Sequence, residues 1–164
     1  MLDAAKQDRR TLWVGLVVFA LLGLGWFAGL KIAPSDEHQG EIYRIIYMHV
    51  PAAFSAFISA AVLLVLSIWT LIRRSPDSAL WARASAEVGL IFTIMTLATG
   101  SIWGRPTWGT WWVWDARLTS ELILLFLYLG YIALQSAIDD RRMAARAGAV
   151  LALVGVVNIP IIHY

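Results

Sequence analysis

Five apolar runs, separated by short polar or charged stretches, set the pattern of the chain. They fall at about Leu12–Ala33, Ala52–Ile72, Ala84–Ile102, Leu118–Ile138 and Ala147–Ile162. Roughly 20 apolar residues suffice to cross a bilayer as a helix. The pattern predicts an all-α, multi-pass transmembrane bundle of five spans, forming a single membrane domain over residues 1–164. The opening MLDAAKQDRR is polar and basic, as ahead of a signal peptide. The run behind it exceeds the roughly 7–15 residues of a signal h-region, so an uncleaved first span is expected. In residues 34–50, PSDEHQGEIYRIIYMHV, the positions Ile42, Ile45, Ile46 and His49 recur at helical spacing. They predict a short helix lying in the membrane interface, with Pro51 opening the second span. Between the third and fourth runs lies Trp103 to Asp115, WGRPTWGTWWVWD, the core of a segment reaching to residue 117. Gly104, Pro106 and Gly109 argue against a continuous helix over 104–109. No breaker follows, so Trp111, Trp112 and Trp114 are expected on the first turns of the fourth span.

Composition supports the membrane reading. The chain is 60% hydrophobic and 15% charged, against about 45–50% and about 25% in soluble domains. It has no cysteine, which excludes disulfides, thiolate metal sites and cysteine nucleophiles. A net charge of +2 is too small to suggest nucleic acid as a partner. The positions of the cations matter more than their sum. Nine of the thirteen Lys and Arg lie in the N-terminus (Lys6, Arg9, Arg10), the second loop (Arg73, Arg74, Arg83) and the fourth loop (Arg141, Arg142, Arg146). The positive-inside rule makes that side cytoplasmic. Residues 34–50, the tryptophan stretch and all three histidines are then expected on the outer side.

Five of the nine tryptophans sit in Trp103–Asp115. An interfacial belt gives one or two aromatics per helix end; five together suit a platform for a large flat ligand. His38 lies in the polar run DEHQG and reads as a solvated loop residue. His49 and His163 stand at the mouths of the second and fifth spans, each near a proline. Either alone would read as an interfacial anchor. Two imidazoles on the side of five tryptophans suit a haem, whose iron takes axial histidines and whose propionates need cations. Arg44, Arg105 and Arg117 are the outer-side arginines for that task. Asp115 is placed to cap the fourth span or to accept from an indole N–H. Glu87 and Glu121 lie about one turn inside their spans. Glu121 is near the platform, whereas Glu87 is near Arg83. Asn158 is expected to bond backbone freed by Pro160. No nucleotide-binding loop, metal-hydrolase motif or Ser/His/Asp set is visible.

The segment WGTWWVWDARLTSELIL at Trp108–Leu124 resembles the WWD signature of the haem-handling proteins of cytochrome c maturation. With YMHVPAAF at Tyr47–Phe54, it is most similar within that group to the haem exporter protein C (CcmC) family. The resemblance covers nearly the whole chain. It implies haem b held on the extracytoplasmic face of a bacterial inner (cytoplasmic) membrane. Trp108, Trp111, Trp112, Trp114 and Asp115 would form the platform, His49 and His163 would be the axial ligands, and Arg44 and Arg117 would meet the propionates. It further implies delivery to a periplasmic haem chaperone (CcmE). The complex would be of the ABC type, with an ATPase (CcmA), a second membrane subunit (CcmB) and a small subunit (CcmD). Family members continue past the second histidine with more outer loop and a sixth span, which this chain does not include. The expected role is haem handling and transfer without catalytic turnover. Two other readings remain open at this point: an electron-transfer subunit with permanent haem, like a membrane cytochrome b, and a structural permease subunit that docks an ATPase. Reversible haem transfer would distinguish the first, and absence of bound haem the second.

Overall fold

The computed structural model describes the backbone of residues 2–163 and the side chains of residues 8–162. Its regular elements are helical: α1 (Leu2–Phe27), α2 (Ile46–Arg73), α3 (Pro76–Trp108), α4 (Ala116–Ala137), α5 (Arg141–Gly155) and α6 (Asn158–His163). A π-helical turn, Ala28–Ile32, closes α1, and a 3-10 turn, Glu41–Ile45, leads into α2. Four stretches are long and apolar enough to cross a membrane: Asp8–Ile32, Glu41–Arg73, Pro76–Trp108 and Ala116–Ala137. The chain is a multi-pass helical membrane protein, as its apolar runs predict.

Three local expectations are corrected. The 34–50 stretch forms no separate interfacial helix; its second half winds as a 3-10 turn straight into α2, and Pro51 sits inside that helix. The third span does not break at Gly104. It continues through Pro106 and stops at Gly109, whose φ of 78° only glycine adopts without strain. Pro106 has no N–H to give the Ile102 carbonyl, so α3 passes through it with one backbone bond fewer. The fifth run is not one continuous helix. It divides at Val156–Val157 into the 15-residue α5 and the short α6. α5 also begins earlier than its apolar pattern, because Asp140 caps it by accepting from the Arg142 and Met143 amides at 2.8 and 2.9 Å.

Contacts divide the chain into two compact units, Met1–Met48 and His49–Tyr164. In the first, α1 leaves Leu12, Val14, Phe19 and Leu24 more than 60% exposed, as a lipid-facing helix does. Gly29 lies so close to Tyr47 that a Cβ there would come within 2.5 Å of its Cβ. Asp36 closes the polar turn by accepting from the His38 and Gln39 amides. His38 itself is exposed, as expected of a solvated loop residue.

In the second unit α4 packs against α3, α5 and α6. Its core is small for a reason particular to membranes. Lipid gives helices no hydrophobic reason to associate, so close approach of backbones over small residues must hold them. Along α3 the buried positions are Ser78, Ala82, Ala86, Gly89, Thr93, Thr96, Thr99 and Gly104. Gly89 lies against Tyr128 of α4, whose hydroxyl donates to the Ala56 carbonyl of α2 at 2.8 Å. Gly148 of α5 receives Tyr131 in the same way. Asn158 does not serve the backbone near Pro160; its amide donates to the Ser120 carbonyl at 2.8 Å and ties α6 to α4.

Candidate functional site

The end of α3, the following loop and the first turn of α4 carry the tryptophan segment. Because α3 ends at Gly109 and α4 begins at Ala116, Trp111, Trp112 and Trp114 lie on irregular chain and not on the first turns of α4. The loop holds itself by local bonds. The Thr110 hydroxyl donates to the Trp112 carbonyl at 3.1 Å, and Arg105 donates to the Gly109 carbonyl. Asp115 acts as the helix cap, its carboxylate accepting from the Leu118 amide at 2.7 Å.

The aromatic surface is open. Trp108, Trp111 and Trp114 are 53%, 58% and 74% exposed. Trp112 is half-buried and meets Trp114 edge to face, with ring centres 5.4 Å apart. Its indole N–H is buried without an acceptor, a costly state for a donor. Two guanidinium groups stand over rings of this surface: Arg117 lies 5.9 Å from the Trp108 centroid and Arg105 lies 6.0 Å from that of Trp111. Both are within cation–π range. The segment thus offers exposed indole faces and two cations, a set that matches a flat apolar ligand with acidic substituents.

His49, in the first turns of α2, is half-buried against α3. Its Nδ1 lies 3.0 Å from the Thr99 hydroxyl. Its ring meets Trp103 edge to face at 5.7 Å. Gly100 leaves room for it, since a Cβ there would come within 3.1 Å of His49 Cε1. One α3 face, Thr99, Gly100 and Trp103, therefore seats the imidazole within two turns of Trp108.

The structure pairs His49 with Trp103, Arg117 with Trp108, Arg105 with Trp111 and Trp112 with Trp114, and sets Asp115 as the cap of α4. Arg44 belongs to the first unit, where it pairs with Glu41 at 2.6 Å and donates to the Leu30 carbonyl at 3.2 Å. Its Nε–H is buried without an acceptor. His163 ends α6, and its side chain lies outside the described residues. Glu87 pairs with Arg83 at 3.0 Å, as their spacing suggests. Glu121, in the second turn of α4, is buried with Oε1 unpartnered. Sequence reasoning missed the roles of Thr99 and Gly100. A threonine and a glycine inside an apolar run give no signal of what they face until helix pairing is known.

A family model described as "Heme exporter protein C" matches residues 4–164. The chain is 52% identical over 152 residues to "Heme exporter protein C" of Escherichia coli K12, covering 93% of this chain and 62% of that protein. The protein of the same name from Haemophilus influenzae is 45% identical over 148 residues, covering 90% and 60%. A "Putative cytochrome c biosynthesis ccmC-like mitochondrial protein" of Marchantia polymorpha is 42% identical over 151 residues, covering 88% and 64%. The chain spans about three fifths of the length of these relatives.

Proposed function

The chain belongs to the Heme exporter protein C family, and from that premise we propose that it holds haem b for cytochrome c biogenesis and gives it up to a chaperone. The observation that carries this reading is the open shelf of Trp108, Trp111 and Trp114, flanked by Arg105 and Arg117, at the α3 end that also seats His49. A macrocycle lies on indole faces, its iron takes an imidazole and its propionates take guanidinium groups. Haem brings the iron and the flat macrocycle; the protein's part is to orient them. The resemblance assigns Arg44 and Arg117 to the propionates. Asp115 directs the segment by capping α4. The resemblance assigns the second axial position to His163.

Exposure of the shelf suits a ligand that must leave. A permanent redox haem is normally enclosed. In this reading the site faces the periplasm and the N-terminus is cytoplasmic, by the positive-inside distribution of Lys and Arg. The recipient is the periplasmic chaperone CcmE, and the assembly includes CcmA, CcmB and CcmD. The protein transfers a ligand and performs no catalytic turnover of its own.

Haem titration of purified protein tests the proposal. His49→Ala is expected to weaken haem retention and change the Soret band. His163→Ala reads whether the second ligand is this histidine. Loaded protein mixed with haem-free chaperone is expected to lose haem to it, whereas an electron-transfer haem would stay. Unchanged haem absorbance in His49→Ala protein would sink the reading.

A further inference from the structure

Resting on the haem reading above, we infer that Thr99 is a positioning residue for His49: its hydroxyl oxygen accepts a hydrogen bond from Nδ1–H and leaves Nε2 as the ligating nitrogen. The inference follows from where the hydroxyl proton goes. Thr99 Oγ1 donates to the Met95 carbonyl at 2.6 Å, and the Thr96 carbonyl lies 3.3 Å away. A hydroxyl has one proton and two lone pairs. With its proton committed to its own helix, Thr99 can only accept from His49 at 3.0 Å. Nδ1 therefore carries the hydrogen. In a neutral imidazole the other nitrogen then holds the free lone pair.

Thr93 and Thr96 make the same bond to the carbonyl one turn back on the same buried stripe, at 2.8 Å each. Thr99 differs in that its hydroxyl also holds His49 on another helix, beside the Thr96 backbone carbonyl, which accepts from the same imidazole. Its neighbours fix the ring around that bond. Gly100 admits Cε1, and the edge of Trp103 limits rotation. Partners that orient a metal-bound histidine typically contribute about 10–100-fold to metal affinity. The Thr99 contact is of that kind, set from α3 while the histidine is set from α2.

The test begins with haem-free protein in lipid nanodiscs, labelled with 15N-histidine, the His49 signals being identified by their loss in His49→Gln. Wild type and Thr99→Ser are expected to carry the proton on Nδ1. Thr99→Val, nearly the same shape without the hydroxyl, is expected to redistribute it towards Nε2. With haem, Thr99→Val should release it about tenfold faster, with Thr99→Ser restoring the wild-type rate. Gly100→Ala keeps the hydroxyl but presses on Cε1, and is expected to change the spectrum in the same direction, which serves if Thr99→Val does not fold. A wild-type His49 protonated at Nε2, or a Thr99→Val protein with unaltered tautomer and release rate, overturns the inference. Failure of the haem reading is a separate result: His49→Ala would then bind haem as wild type does, while the tautomer in haem-free protein would still follow Thr99.

Discussion

Single residues in this protein act mostly by being small. Gly89 is the clearest case, because a Cβ there would lie 2.3 Å from the Tyr128 ring. Tyr128 cannot retreat without giving up its bond to the Ala56 carbonyl. Gly89→Val is therefore expected to destabilise the α2–α3–α4 packing by about 1–3 kcal/mol, the usual range for overpacking. Thermal unfolding in detergent would measure it, and Gly15→Val, on an open face of α1, is the control with little expected effect. At this scale the sequence was only partly legible. The aromatic density at Trp108–Trp114 and the isolated imidazole of His49 could be read directly, since few residue types share their chemistry. Thr99, Gly89 and Gly148 could not, because their roles depend on which neighbour faces them.

At the scale of elements, caps and stops decide where the helices begin and end. Asp115 fixes the start of α4 directly after the tryptophans. Asp115→Ala is expected to cost about 1 kcal/mol of helix stability and to loosen the loop carrying Trp111 to Trp114, seen as lower haem retention with most helical circular dichroism preserved. Asp140 does the same for α5, and the two amides it accepts hold its carboxyl below the usual carboxylate range. Its folded pKa lies below the unfolded value of about 3.9. The capping contribution is thus complete above that value and is lost as pH falls through the lower folded one. Amide-exchange protection at Arg142 and Met143 should fall on acidification in wild type, and Asp140→Asn should remove that dependence while keeping a cap. Apolar periodicity marked where α1 to α4 lie, though α1 and α3 begin about eight to ten residues before their apolar runs. It failed for α5 and α6. There the charged residues Arg141, Arg142 and Arg146 belong to the helix, and Val156–Val157 breaks it without any glycine or proline at the break itself. It also misjudged Pro106, which lies inside α3 and does not end it.

For the whole molecule, the distribution of charge makes a directional statement. The lack of cysteine allows it to be checked on an otherwise unaltered chain. Thr110→Cys is expected to react with a membrane-impermeant maleimide added to the periplasmic side. Asp139→Cys should react only after the membrane is permeabilised. Labelling of both from one side would reject the proposed orientation. The membrane character of the chain was legible from composition alone, because lipid tolerates so few charges. The division of the fifth run into α5 and α6 was not.

The 33 residues of α3 rise about 50 Å, while a bilayer's hydrocarbon is about 30 Å thick. A tilt near the average of roughly 20° shortens that projection by only a few ångströms. Several turns must therefore stand clear of the hydrocarbon, and one end of them is Arg105 to Trp108. Bilayer thickness then becomes a control on how far the tryptophan shelf is wetted. In vesicles of progressively longer-chain phosphatidylcholine, tryptophan emission is expected to move to the blue as the shelf is drawn into the headgroup layer, and haem release should slow in step with it.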